Sequence, residues 1–137
     1  MIAFDTIIKE HIVRSRRANT HPAKLLVLSS LLRELFGVTL EELIPGIETK
    51  LGSKILGVRG NADLLFLDVV FEVKVNLEAE HEDAKAKLRK YFQVLYELEP
   101  DRRHIGIATD VIGFRAYLPV LKDGSVVDIC EISSIDI

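Results

Sequence analysis

The chain has 137 residues, 48% hydrophobic and 28% charged, which supports one folded domain with a real core and excludes an intrinsically disordered chain. A formal charge of -3 and a pI near 5.8 weigh against a general duplex-binding surface built on surplus Lys and Arg. No apolar run approaches the ~20 residues that span a bilayer, Asp5, Lys9 and Glu10 break up any signal-peptide pattern, and Cys130 has no second cysteine for a disulfide or a zinc site, so a cytoplasmic setting is expected.

In chain order, Phe4, Ile7, Ile8 and Ile12 fall at helical spacing and predict a short helix from Phe4 to Ser15. Arg16 to Pro22 is polar and proline-ended, which predicts a loop. Leu25, Leu28, Leu32, Leu35 and Phe36 predict a second helix over Ala23 to Phe36, stopped by Gly37. Thr39 with Glu42 forms a capping-box pattern for a short helix closed at Pro45-Gly46. Ile47 to Val58 is β-rich but broken by glycines, and Gly60-Asn61 carries a turn or bulge signal. Ala62 to Val75 is too long for one ordinary strand and is split near Asp68. Asn76 to Glu99 is the strongest helix, with Asn76 as cap, early acids, an apolar face through Ala84, Leu88, Tyr91 and Leu95, and Pro100 as stop. Strands over Ile105 to Ala108, Phe114 to Val120 and Val126 to Ile132 follow, with turns at Thr109 to Gly113 and Asp123-Gly124. Helices, strands, a long helix and further strands predict an α/β fold, a mixed sheet flanked by helices, as a single domain over 1–137. Its amino-terminal part, about 1–45, is helical, and its sheet and long helix occupy about 46–137.

The chemistry-bearing stretch is Gly60-Asn61-Ala62-Asp63 followed by Glu72-Val73-Lys74. Alternate residues of a strand share a face, so Glu72 and Lys74 point together while Phe71, Val73 and Val75 point to the core. Asp63, at the start of the neighbouring strand, would join them. Two carboxylates suit a hard dication, with magnesium or manganese favoured over zinc. A metal activates water and neutralises phosphate charge, and a lysine beside it assists the attack, which is what phosphodiester hydrolysis requires.

Asp63 with Glu72-Val73-Lys74 resembles the PD-(D/E)XK nuclease superfamily, the restriction-endonuclease-like fold. Gly60-Asn61-Ala62-Asp63-Leu64-Leu65-Phe66 is similar to the family's Gly-Arg-Ala-Asp strand. Lys87-Leu88-Arg89-Lys90-Tyr91 sits where related proteins have Gln-Leu-x-x-Tyr, and Ile105 to Asp110 with Phe114 to Tyr117 resembles the strand pair that follows. The resemblance spans roughly Gly37 to Leu118 and is similar to the amino-terminal nuclease domains of type I restriction R subunits and fused restriction–modification enzymes. It implies a restriction-endonuclease-like core and a magnesium-dependent DNA endonuclease acting in restriction–modification or DNA processing. Asp63 and Glu72 would hold Mg2+ (or Mn2+), Lys74 would complete the catalytic set, and Lys87 and Tyr91 would support it. DNA is the implied partner, with a homodimer or further domains and subunits of a restriction–modification system supplying the rest of the binding surface.

Three departures stand out. The helix glutamate of many relatives has no counterpart in Thr20 to Lys24, leaving Glu48 or Glu34 as substitutes. Ala62 replaces the usual proline, and Lys87 replaces the helix glutamine. The basic run Arg14, Arg16, Arg17 and Lys24 is a candidate DNA-backbone contact, or else a solvated loop. The helix acids Glu78, Glu80, Glu82 and Asp83 read as dipole and solvation residues, the histidines have no metal spacing, and Cys130 reads as a small buried side chain. Because of the missing glutamate, the same pattern also fits a catalytically inactive nuclease-fold module used for DNA binding or subunit assembly. The apolar Ile132 to Ile137 raises a third reading, an interface with another protein.

Overall fold

The computed structural model describes residues 4–43, 47–52 and 59–137, with Leu40, 47–52 and 59–62 described by backbone alone. Two helices open the chain, α1 (Phe4–Arg17) and α2 (His21–Phe36). The expected loop from Arg16 to Pro22 therefore shrinks to three residues. Pro22 opens α2 rather than ending a loop, because its missing N–H costs nothing in a first helical turn. Thr20 Oγ1 caps the helix by accepting from Ala23 N at 3.3 Å. Gly37, at φ 66, closes it with its N–H on the Arg33 carbonyl, as its left-handed freedom predicts. The capping box forms as expected: Glu42 N donates to Thr39 Oγ1 at 3.3 Å, Thr39 N donates to Glu42 Oε1 at 3.2 Å, and α3 (Leu40–Leu43) results. The closing Pro45-Gly46 lies outside the described residues.

Six strands form one mixed sheet in sequence order: β1 (Ile47–Gly52), β2 (Arg59–Phe66), β3 (Val69–Val73), β4 (Ile105–Thr109), β5 (Gly113–Lys122) and β6 (Ser125–Asp136). Gly60-Asn61 lies within β2 instead of forming a turn, and residues 53–58 lie outside the described part. The reversal comes at Leu67-Asp68, where the long apolar stretch was split, and Leu67 takes φ 53 to make it. Among the described strands only β3 and β4 pair in parallel, which demands a crossover, and α4 (Leu77–Leu98) supplies it. Asn76 Oδ1 caps α4 by accepting from Ala79 N at 3.2 Å. Asp123 and Gly124, both at positive φ, make the β5–β6 hairpin turn. β6 runs on to Asp136, so Ile132 to Ile135 continue an edge strand. Cys130 is exposed on that strand, which corrects the expectation that it is buried: it is its neighbour Ile129, with Val126, that β6 packs into the core under α4.

The sheet has a core on each side. Helix α4 packs Ala84, Leu88, Phe92 and Leu95 against Val70, Ala108 and Tyr117. A Cβ on Gly106 would sit 2.9 Å from Phe92 Cζ, so glycine there lets α4 lie close on β4. On the other face Leu25, Leu28 and Leu43 meet Leu64, Phe71 and Val73. Burying each Leu or Phe contributes roughly 1.5–3 kcal/mol. Beyond α2 that second face is open, an apolar groove of about 440 Å³ lined by Leu32, Phe36, Ile107, Phe114 and Ile135 among others. Both faces of β3 are consequently covered, the Glu72 face as well as the Phe71 face, and Val75 just past the strand is exposed rather than turned to the core. Among the described residues no helix is long and apolar enough to cross a membrane.

Candidate active site

Strands β2 and β3 pair as Leu64↔Phe71, Leu65↔Val70 and Phe66↔Val69. One step further in that antiparallel register, Asp63 falls across from Glu72, on the face toward α4. There a side chain takes over from the ladder: Asp63 Oδ2 accepts from Val73 N at 2.6 Å. This bond pins the carboxylate beside β3 and helps explain why it tolerates burial. Glu72 is 2% exposed, and its Oε2 accepts from the Tyr91 hydroxyl at 3.0 Å. Lys74 follows two residues later on the same face, its backbone held by Thr109 O at 2.8 Å. Its ammonium donates to Asp83 Oδ2 on α4, and Lys87 Nζ lies 3.7 Å from the same oxygen.

The charges in this cluster do not balance around Glu72. Burial, followed by the neighbouring Asp63 carboxylate, pushes the Glu72 carboxyl up to about 8, and Lys87 and Lys74 offset only part of that. Tyr91 is driven above the usual phenol range by burial and by the charge on Glu72. For Lys74, burial opposes the charge, yet the Asp83 hydrogen bond and Glu72 outweigh it and raise the ammonium's pKa. The Lys74 hydrogen bond in turn holds Asp83 below the ordinary carboxylate range. Two adjacent carboxylates that resist joint ionisation form a donor set that a hard dication suits, through oxygen and with relief of their repulsion. Asp63 and Glu72 are the side chains that would hold one. No group of three or more His, Cys, Asp or Glu side chains is gathered for a metal among the described residues.

The structure thus brings together Asp63, Glu72, Lys74, Lys87 and Tyr91. It does not bring in Glu34, which pairs with Arg14 at 2.9 Å. Glu34 also lies 13 residues along α2 from His21, roughly 20 Å at 1.5 Å per residue. Glu48 sits in β1 between Ile47 and Thr49, which pair with Leu64 and Ala62, so its backbone falls across from Asp63; its side chain lies outside the described residues. Among the proposed DNA-backbone residues, Arg16 and Arg17 are exposed at the end of α1 and Arg14 is half-engaged with Glu34. Lys24 is a correction: it is buried, 5% exposed, and donates to Ser15 O at 3.4 Å between the two helices, so it offers nothing to a phosphate.

Two residues of the cluster carry another reading in the sequence, Asp83 as a helix-dipole acid and His21 as a loop histidine or a phosphate neighbour. His21, in the first turn of α2, places Nε2 2.9 Å from Asp63 Oδ1. Nothing in its spacing marks it, because the contact joins segments 42 residues apart across two layers. Asp83 left a trace: it stands four residues before Lys87 and eight before Tyr91, on one stripe of α4. No family model matches the chain, and no curated protein or solved structure matches it.

Proposed function

We propose that this chain is a metal-dependent DNA endonuclease of the PD-(D/E)XK type with a restriction-endonuclease-like core. The observation that carries the reading is the meeting of Asp63, Glu72 and Lys74 from adjacent segments, in a cluster where burial and the neighbouring Asp63 push Glu72 up to about 8. Asp63 and Glu72 would hold Mg2+, or Mn2+, which when bound acidifies water and neutralises charge on a phosphodiester. Lys74, held as a cation, stabilises the charge that builds on the phosphate oxygens and is poorly suited to act as a base. Tyr91 fixes Glu72, and His21 fixes Asp63 from the start of α2. Arg16 and Arg17, a few residues before His21, lend a salt-dependent, sequence-independent attraction for the DNA backbone. The acidic total charge leaves the rest of the DNA surface to a second copy or to other subunits of a restriction–modification system.

One observation favours the alternative, an inactive nuclease-fold module: no third metal-binding acid joins the pair among the described residues. Calorimetry with Mg2+ and Mn2+ on wild type and Asp63→Ala, followed by duplex cleavage assays, separates the two. The enzyme reading expects metal binding that Asp63→Ala abolishes, and cleavage that falls on the order of 10²- to 10³-fold in Lys74→Ala and at least as far in Asp63→Ala and Glu72→Ala. Undiminished cleavage by folded Lys74→Ala would sink it. Tight DNA binding that ignores magnesium, without cleavage, would establish the module.

A further inference from the structure

Helix α4 carries Asp83, Lys87 and Tyr91 four residues apart, so all three lie along one stripe of its surface. That stripe runs antiparallel to β3, as a crossover helix must. Tyr91 meets Glu72 at one end, and Asp83 meets Lys74 at the other. Each polar side chain of the strand therefore has its own partner on the helix.

The Lys74 contact has a geometric consequence. Its long, flexible stem is almost wholly enclosed, with the side chain 9% exposed, while Asp83 is 58% exposed at the mouth of the layer. The ammonium's hydrogen bond goes to Asp83 on α4 and, among the described residues, it makes no ion pair with the carboxylate two residues back. Without that anchor, the same ammonium would turn onto Glu72 and occupy the oxygens that a cation needs. Lys87, one turn along α4, pairs with the same Asp83 oxygen at 3.7 Å.

We infer that Asp83 is a positioning residue: it keeps Lys74 apart from the Asp63–Glu72 pair and presents its ammonium to the scissile phosphate. The inference rests on the nuclease reading above and adds to it a residue whose place at a helix start otherwise suggests only a solvated acid.

The test is a cycle of wild type, Asp83→Asn, Lys74→Ala and the double variant, with Asp83→Glu as the conservative control, followed by duplex cleavage and by thermal unfolding. Asp83→Asn is expected to lower kcat on the order of 10- to 100-fold with KM for DNA nearly unchanged. Asp83→Glu should recover most of that loss, and Asp83→Asn should add nothing in the Lys74→Ala background. In unfolding, Asp83→Asn should lower Tm in wild type but not in Lys74→Ala. Losses that multiply across the cycle, or a loss confined to KM, overturn the inference. Should wild type cut no DNA at all, the nuclease reading fails, and the unfolding cycle alone decides whether Asp83 holds Lys74: coupled Tm shifts uphold the link and additive ones dismiss it.

Discussion

Two buried titratable side chains sit at opposite ends of the β3–α4–β4 unit, each 2% exposed: Glu72 near the end of β3 and His104 just before β4. Burial drives both toward their neutral forms, raising Glu72 and lowering His104. Their surroundings differ. Around Glu72 a carboxylate, a lysine and a tyrosine converge, and each has a partner that fixes it. Around His104 neither ring nitrogen has a hydrogen-bond partner among the described residues. Its near neighbours are the edge-on Tyr96 ring at 5.6 Å and Asp68 at 3.9 Å, and Asp68 is turned to Arg102 at 2.6 Å. A shifted pKa is therefore not by itself the mark of a site. What singles out the Glu72 end is several oriented groups of opposing charge at the carboxyl ends of β3 and β4, where open α/β sheets commonly place their ligands.

The broadest way to break this contrast is to remove one group from each end. The cleavage losses expected for Asp63, Glu72 and Lys74 should have no counterpart at His104. A His104 variant that lost cleavage as severely would erase the distinction. Next in size is the pH dependence of Glu72. Below about pH 4.5 its carboxyl is protonated in both the folded and the unfolded chain and affects neither. As pH rises toward 8 the unfolded chain ionises it while the folded chain resists, so wild type loses stability across that window. Glu72→Gln keeps an oxygen for the Tyr91 hydroxyl and lacks this loss. Its advantage in unfolding free energy should grow from near zero at pH 4.5 to on the order of 4 kcal/mol at pH 8. Saturating Mg2+ should narrow the gap by stabilising wild type alone. Denaturant curves at several pH values measure this, and a gap independent of pH would mean that Glu72 is ionised as easily in the fold as outside it.

A smaller effect is expected at His21. Its imidazole touches Asp63 from another layer and orients an oxygen without belonging to the strand pair. His21→Ala should weaken Mn2+ affinity about tenfold, read by calorimetry, and leave the fold intact. Unaltered affinity would reduce His21 to a surface partner.

His21 also shows where sequence reading ends. The convergence of Asp63, Glu72 and Lys74 was legible because it follows from a period of two and one reversal near Asp68, both local properties of the chain. The long helix α4 and the mixed sheet were legible for the same reason, through Asn76, Pro100 and the apolar stripe. What could not be read depends on one layer meeting another. Pro22 fits a loop end as well as a helix start, and only the packing of α2 puts its first turn over β2. Lys24 looks like a free cation until α1 closes over it. Cys130 looks like core until β6 proves to be an edge strand that buries Val126 and Ile129 instead. Asp83 lies between these cases, since its spacing from Tyr91 was visible and its partner was not.

The smallest effect probes the other end of the unit. Neutral His104 buries two ring nitrogens that have no hydrogen-bond partner among the described residues, and an unsatisfied buried polar group costs about 1–3 kcal/mol. His104→Phe keeps a ring against Tyr96 and removes that cost, so it should be neutral or stabilising by about 1 kcal/mol at pH 8. The gap should widen in acid. The unfolded imidazole takes up a proton as pH falls below 6.5, while the buried one declines it until the pH drops through its lowered value, so wild type loses stability over that range. His11, buried against the Val111 carbonyl and shifted the same way, makes part of the wild-type loss and should persist in the variant. Thermal unfolding between pH 5 and pH 8 (about 1.5 units either side of the ordinary imidazole pKa) separates the two histidines. A His104→Phe protein less stable than wild type at every pH would mean that the imidazole belongs to a satisfied polar network, and the two ends of the β3–α4–β4 unit would then be alike.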